Sequence, residues 1–159
     1  MKVVTKKIVL FLLITALAFI MLSCKMSHEK VLDTLPNYFA SFEYLDPNGF
    51  RDYTYYCKYY YKDVTADTLN DNKFLTLVSD ENVEYILSFI DDYEDETEHY
   101  GEVQKIYDFD KSIISEGDYF YVYTKEGTIS GGVTYEKFDH YDVYYFDLDA
   151  QVLYYFHTD

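Results

Sequence analysis

The sequence predicts an α+β fold, with an antiparallel sheet of about five to seven strands and one main helix, over about residues 80–92, packed on one face. Three observations carry this. A single stretch has apolar residues at helical spacing, several short runs alternate with period two on both sides of it, and turn residues separate the runs. All six glycines, at positions 49, 101, 117, 127, 131 and 132, fall between apolar runs, as do Pro36 and Pro47.

In chain order, FASFEYLD predicts a strand at about residues 38–45. PNGF follows as a turn around Asn48-Gly49 and leads into a second strand over 50–62. KFLTLV is a short run before the helix. Ser79 is placed to cap that helix, with Asp80 and Glu81 in the first turn and Val78 and Val83 as an apolar staple across it. Val83, Ile86, Leu87 and Ile90 form its core stripe. The run DDYEDETE predicts a stop near Asp92, because acids oppose the dipole at a helix C-terminus. That leaves 91–98 as a solvated acidic loop, with weak cation binding the alternative. VQKIYDF, DYFYVYT, YDVYYFDL and QVLYYFH read as four further strands, the last two a hairpin across Asp149-Ala150.

The N-terminus sets location. Lys2, Lys6 and Lys7 precede an apolar run from Ile8 to Leu22, and Ser23 precedes Cys24. Such a run is short for a membrane span, which needs ~20 residues, and has the layout of an export signal. Met21-Leu22-Ser23-Cys24 at its edge resembles a bacterial lipoprotein signal, with Met21 where that family usually has Leu and Leu22 where it has a small residue. The resemblance implies that residues 1–23 are removed, that Cys24 is acylated as the new N-terminus, and that the chain is held by lipid on the extracytoplasmic face of the cell membrane. Residues 24–36 then form a tether with a helical turn around Val31, Leu32 and Leu35, and residues 37–159 a single domain.

Removing 1–23 takes three lysines and no acid, so the formal charge falls from −16 to −19. That balance repels phosphate backbones and excludes nucleic acid as a partner. With Cys24 acylated, Cys57 has no disulfide partner and is expected to be a buried, inert core thiol.

Aromatic content dominates what remains. Arg51–Asp63 reads RDYTYYCKYYYKD, with six tyrosines in thirteen residues. The mature chain carries 31 Tyr and Phe against 24 Ile, Leu and Val, so tyrosines must fill much of the core. Period-two alternation puts Tyr53, Tyr55, Cys57, Tyr59 and Tyr61 on one face, expected to be buried. Thr54, Tyr56, Lys58 and Tyr60 share the other, expected to be wet. One helix can cover one face of a sheet. Tyr56, Tyr60, Tyr144 and Tyr154, with Asp142, are therefore the candidate binding patch on the second face, suited to peptide or sugar contact.

No catalytic motif stands out. His28, His99, His140 and His157 show no close ligand spacing, so neither a metal nor a cofactor is expected. Nucleophile elbows and phosphate-cradling glycine motifs are absent. The expectation is a non-catalytic binding or interaction domain for a peptide, a glycan or an envelope protein. The alternative is a small envelope hydrolase using clustered carboxylates, such as Asp91-Asp92, Asp108 with Asp110, or Asp147 with Asp149, in a tyrosine-lined cleft.

Overall fold

A computed structural model of the protein describes residues 27–45, 54–98, 103–124, 127–128 and 140–158. The signal-like segment with Cys24, the turn at 47–49, Tyr53 and His99 lie outside them. The chain divides into two compact units, residues 1–34 and 35–159. In the first, helix α1 (Ser27–Leu32) closes where the Thr34 N–H and hydroxyl both donate to the Val31 carbonyl, at 3.0 and 2.7 Å.

The second unit is α+β. Its strands are β1 (Ala40–Leu45), β2 (Thr54–Tyr60), β3 (Thr76–Leu77), β4 (Tyr119–Thr124), β5 (Gly127–Thr128), β6 (Tyr141–Asp147) and β7 (Val152–Thr158). They form one antiparallel sheet in the order β1-β2-β7-β6-β4-β3, with β5 paired to β4. The C-terminal pair β6–β7 is a hairpin, as its alternating runs predict, joined by residues 148–151. Gln151 takes the left-handed conformation there, at φ 58°. Its side chain reaches the preceding connection, accepting from the Val64 N–H at 2.7 Å and donating to the Val64 carbonyl at 3.0 Å.

The main helix, α3 (Val83–Glu98), starts about three residues later than expected, so Asp80 and Glu81 lie in a turn before it and Glu84 is its first-turn acid. In that turn the Ser79 carbonyl accepts from the Val83 N–H at 3.0 Å, and Asn82 Oδ1 accepts from the Ser79 N–H at 2.9 Å. Its end differs from expectation. The helix runs through the acidic stretch instead of stopping near Asp92, because the buried stripe continues from Ile86, Phe89 and Ile90 to Tyr93 and Thr97. Tyr93 is wholly buried and its hydroxyl donates to the Tyr55 carbonyl at 2.9 Å. Lys111 answers the acids, with Nζ bonded to Asp91 and, at 3.1 Å, to Glu94. Burial and a cation supplied from another segment outweigh a dipole effect of about 0.3–1 kcal/mol. The acidic loop expected at 91–98 is therefore a helix.

VQKIYDF is the second correction. Residues 103–106 form a turn in which the Ile106 and Tyr107 N–H groups donate to the Val103 carbonyl at 3.0 and 2.9 Å. The segment then lays rings on the sheet beside α3. Tyr107 lies 5.1 Å from Tyr56, and Phe109 lies 4.8 Å from Tyr154 and 5.0 Å from Phe156. A strand there would have spent these aromatics on sheet pairing, whereas the loop uses them to complete the cover that the helix begins.

The helix-bearing face holds the main core, which includes Tyr56, Phe120, Val122, Tyr141, Val143, Tyr145 and Phe156 with Ile86, Phe89, Ile90 and Tyr93. On the opposite face Cys57, Tyr59, Tyr144 and Tyr155 are also buried, so the expectation of one wet face is not met. The connection from β2 to β3, with the short helix α2 (Ala66–Asn70), returns over part of that face. Tyr119 donates to Asn70 Oδ1 at 2.9 Å, Phe74 packs 5.3 Å from Tyr121, and Tyr38 lies 5.0 Å from Tyr59.

Candidate functional site

The structure separates the five residues that sequence places in one patch. Tyr56 pairs with Phe156, and Phe156 with Val143, so the Tyr56 row of the sheet passes through Val143 and not Tyr144. Tyr56, Tyr60 and Tyr154 lie on the helix-bearing face, while Asp142 and Tyr144 lie on the opposite one. Tyr56 is wholly buried, against the expectation of exposure, and Tyr60 and Tyr154 are half-buried. The reason is local chemistry. The Tyr56 hydroxyl donates to Asp108 Oδ1 at 2.7 Å and Lys58 Nζ to Asp108 Oδ2 at 2.6 Å, so one marginal carboxylate satisfies two polar ends whose stems are buried. Although slight burial pushes the Asp108 carboxyl up, the bonds from Lys58 and Tyr56 outweigh it and hold the group below the usual range.

Asp142 lies at the centre of a second polar group. It is 3% exposed, faces His157 directly across β6 and β7, and its Oδ1 lies 2.7 Å from both His157 Nδ1 and the Tyr155 hydroxyl. Tyr55 stacks on the imidazole at 4.9 Å. A carboxylate on Nδ1 orients the ring with Nε2 directed away, the geometry that supports a general base or a metal ligand. Among the described residues, no group of three His, Cys, Asp or Glu side chains could hold a metal ion. Cys57, on the same face, is a free, buried thiol that burial pushes up to about 11, so it stays protonated and inert at neutral pH.

Several of the clustered carboxylates are committed to structure. Asp91 and Glu94 hold Lys111, and Glu94 also accepts from Tyr107 at 3.0 Å. Asp110 caps the 3-10 turn Lys111–Ile113 through the Ser112 N–H at 2.9 Å, and Asp147 accepts from the Ala150 N–H at 2.8 Å in the hairpin turn. Asp118, 5% exposed, accepts from the Tyr145 hydroxyl at 2.5 Å, the Ser115 hydroxyl at 2.8 Å and the Leu148 N–H at 3.0 Å.

Three solvent-facing rings lie in or just before the outer strand, Tyr38 against the Tyr59 face of the sheet and Phe42 on the helix-bearing face. Phe39 is 71% exposed, Tyr38 41% and Phe42 38%. Lys58 Nζ stands 5.3 Å from the Phe42 ring, and Phe42 meets Tyr56 edge-on at 6.5 Å. Sequence reasoning placed these residues in a strand but gave them no role, because exposure here follows from β1 being outermost. The available signal was FASFEYL itself, a strand without the lysine or proline that blunts an edge.

Comparison with protein-family models, with curated proteins and with solved structures finds no match to this chain.

Proposed function

We propose that the chain is a membrane-tethered extracytoplasmic lipoprotein, acylated on Cys24, whose α+β domain is a non-catalytic binding module for a peptide, a glycan or an envelope protein. The observation that carries the binding reading is the exposure of Tyr38, Phe39 and Phe42, three large aromatics within five residues at one margin of the sheet, where most of the described rings are buried. Exposed aromatics clustered at one place mark contact surfaces, since each costs solvation that packing elsewhere would recover. The commitment of several clustered acids to caps and ion pairs favours binding over hydrolysis. The anchor rests on the resemblance of residues 1–24 to a lipoprotein signal. Two acyl chains, at ~0.8 kcal/mol for each buried CH₂, hold a protein stably on a bilayer surface. Among the described residues no helix is long and apolar enough to cross a membrane.

Two measurements test this. Mass spectrometry of the mature N-terminus should show a diacylated Cys24, and Cys24→Ser should leave the precursor uncleaved or release the protein from membranes. Unchanged mass and membrane retention in Cys24→Ser refute the anchor. Crosslinking in intact envelopes, with the anchor in place, should capture a defined partner that a Phe39→Ser, Phe42→Ser double variant loses. Equal capture by a folded double variant refutes the assignment of these rings.

A further inference from the structure

We infer that the edge of β1, unpaired by any other strand among the described residues, takes an extended, basic peptide segment as an added antiparallel strand; this rests on the binding reading above and names its occupant. The two margins of the sheet differ. At one, β3 has two residues and β5 has two, lengths that offer little to a further strand. At the other, β1 has six residues and includes neither lysine nor proline.

Ladder geometry gives the direction of its free groups. The Tyr61 N–H donates to the Gln151 carbonyl at 2.8 Å, which points odd-numbered β2 residues toward β7 and even-numbered ones toward β1. Residues Ala40, Phe42 and Tyr44 sit opposite those even-numbered residues, so the main-chain groups of Ser41 and Glu43 point away from the sheet. Ser41, Phe42 and Glu43 are all exposed. The edge therefore presents two N–H groups and two carbonyls in the spacing that an extended chain can bond.

Side chains specify the occupant. An added strand would set alternate residues over Phe42 on the helix-bearing face and beside Glu43 on the other. The first position favours an apolar side chain and the second a cation. A second copy of β1 would bring Glu43 against a like edge, and each chain carries a formal −16, so self-pairing is opposed by charge at short and long range. A partner strand of alternating apolar and basic residues satisfies both positions.

The test uses the full chain in detergent and a blocked peptide, acetyl-Thr-Lys-Val-Lys-Val-Lys-Thr-amide, against the same peptide N-methylated at the backbone amides of its lysines, which face Ser41 and Glu43 across the ladder. Binding is read by fluorescence anisotropy, and edge occupancy by hydrogen exchange of the Ser41 and Glu43 amides. The parent peptide should bind and protect both amides, and the N-methylated one should bind at least about tenfold more weakly. Ser41→Pro removes an outward N–H without touching the β1–β2 ladder, and Glu43→Lys inverts the charge. Each should weaken binding by about tenfold or more while melting stays within a few degrees of wild type. Equal binding of both peptides means charge attraction alone and overturns the edge. Binding that persists in Ser41→Pro but is lost in Phe39→Ser overturns the edge and leaves the binding-module reading intact. No binding up to about 1 mM peptide, or concentration-dependent dimerisation abolished by Ser41→Pro, also overturns the proposal.

Discussion

Raising the pH through the tyrosine range is expected to unfold the domain in one cooperative step. Tyr56, Tyr59, Tyr93, Tyr144, Tyr145 and Tyr155 are each at most 1% exposed. Burial, first among the causes, pushes each hydroxyl far above its ordinary value near 10. A folded-state pKa above the unfolded one means that the folded chain holds protons the unfolded chain releases. Stability is then fully present below pH ~10 and is lost as pH rises above it. At pH ~11 an unfolded tyrosine gains about 1.4 kcal/mol by ionising. Six groups kept neutral in the fold would cost about 8 kcal/mol, as much as the whole stability of many domains, about 5–15 kcal/mol. Phenolate absorbance and circular dichroism, followed together, should therefore break at one pH between about 10.5 and 11.5. Tyr85 and Tyr154, less deeply placed and pushed up to about 12, would be swept along with that transition. A smooth titration of every tyrosine around pH ~10 with the dichroism unchanged would show that the rings are wet, and the core described above would be wrong.

Two substitutions probe the polar groups that let tyrosines fill a core. Tyr56→Ala should cost about 3–5 kcal/mol in urea unfolding, as loss of a buried aromatic does, whereas Tyr56→Phe, which forfeits the bond to Asp108 but keeps the ring, should cost about 1–2 kcal/mol. Equal costs would place the stability in the hydroxyl and not in the packing. Asp118→Asn keeps the shape but sets an amide against the Tyr145 hydroxyl or the Ser115 donors, so melting should fall by about 2–3 kcal/mol equivalent and the Leu148 amide should exchange faster. Tyr145→Phe in the Asp118→Asn background should then cost less than in the wild type, and additive losses would refute the shared network.

Sequence alone determined the elements that depend on neighbours in the chain. The stripe beginning at Val83, the two runs of the C-terminal hairpin and the burial of Cys57 all follow from spacing over a few residues, and the structure has them. It also determined that tyrosine must serve as core, since aliphatics are too few. Tertiary structure decided the rest, because partners distant in sequence carry it. The helix continues past Asp92 because Tyr55 and Lys111, 38 and 20 residues away from the groups they bond, hold its far end. VQKIYDF became a turn because its rings found a sheet face to fill. Lys58 and Thr54 marked the Tyr56 face as wet, but burial of that face depended on Asp108, fifty residues from Lys58 and fifty-two from Tyr56. The residues proposed here for binding became distinct only through strand order, because any strand alternates alike and only the arrangement of its neighbours makes β1 an edge.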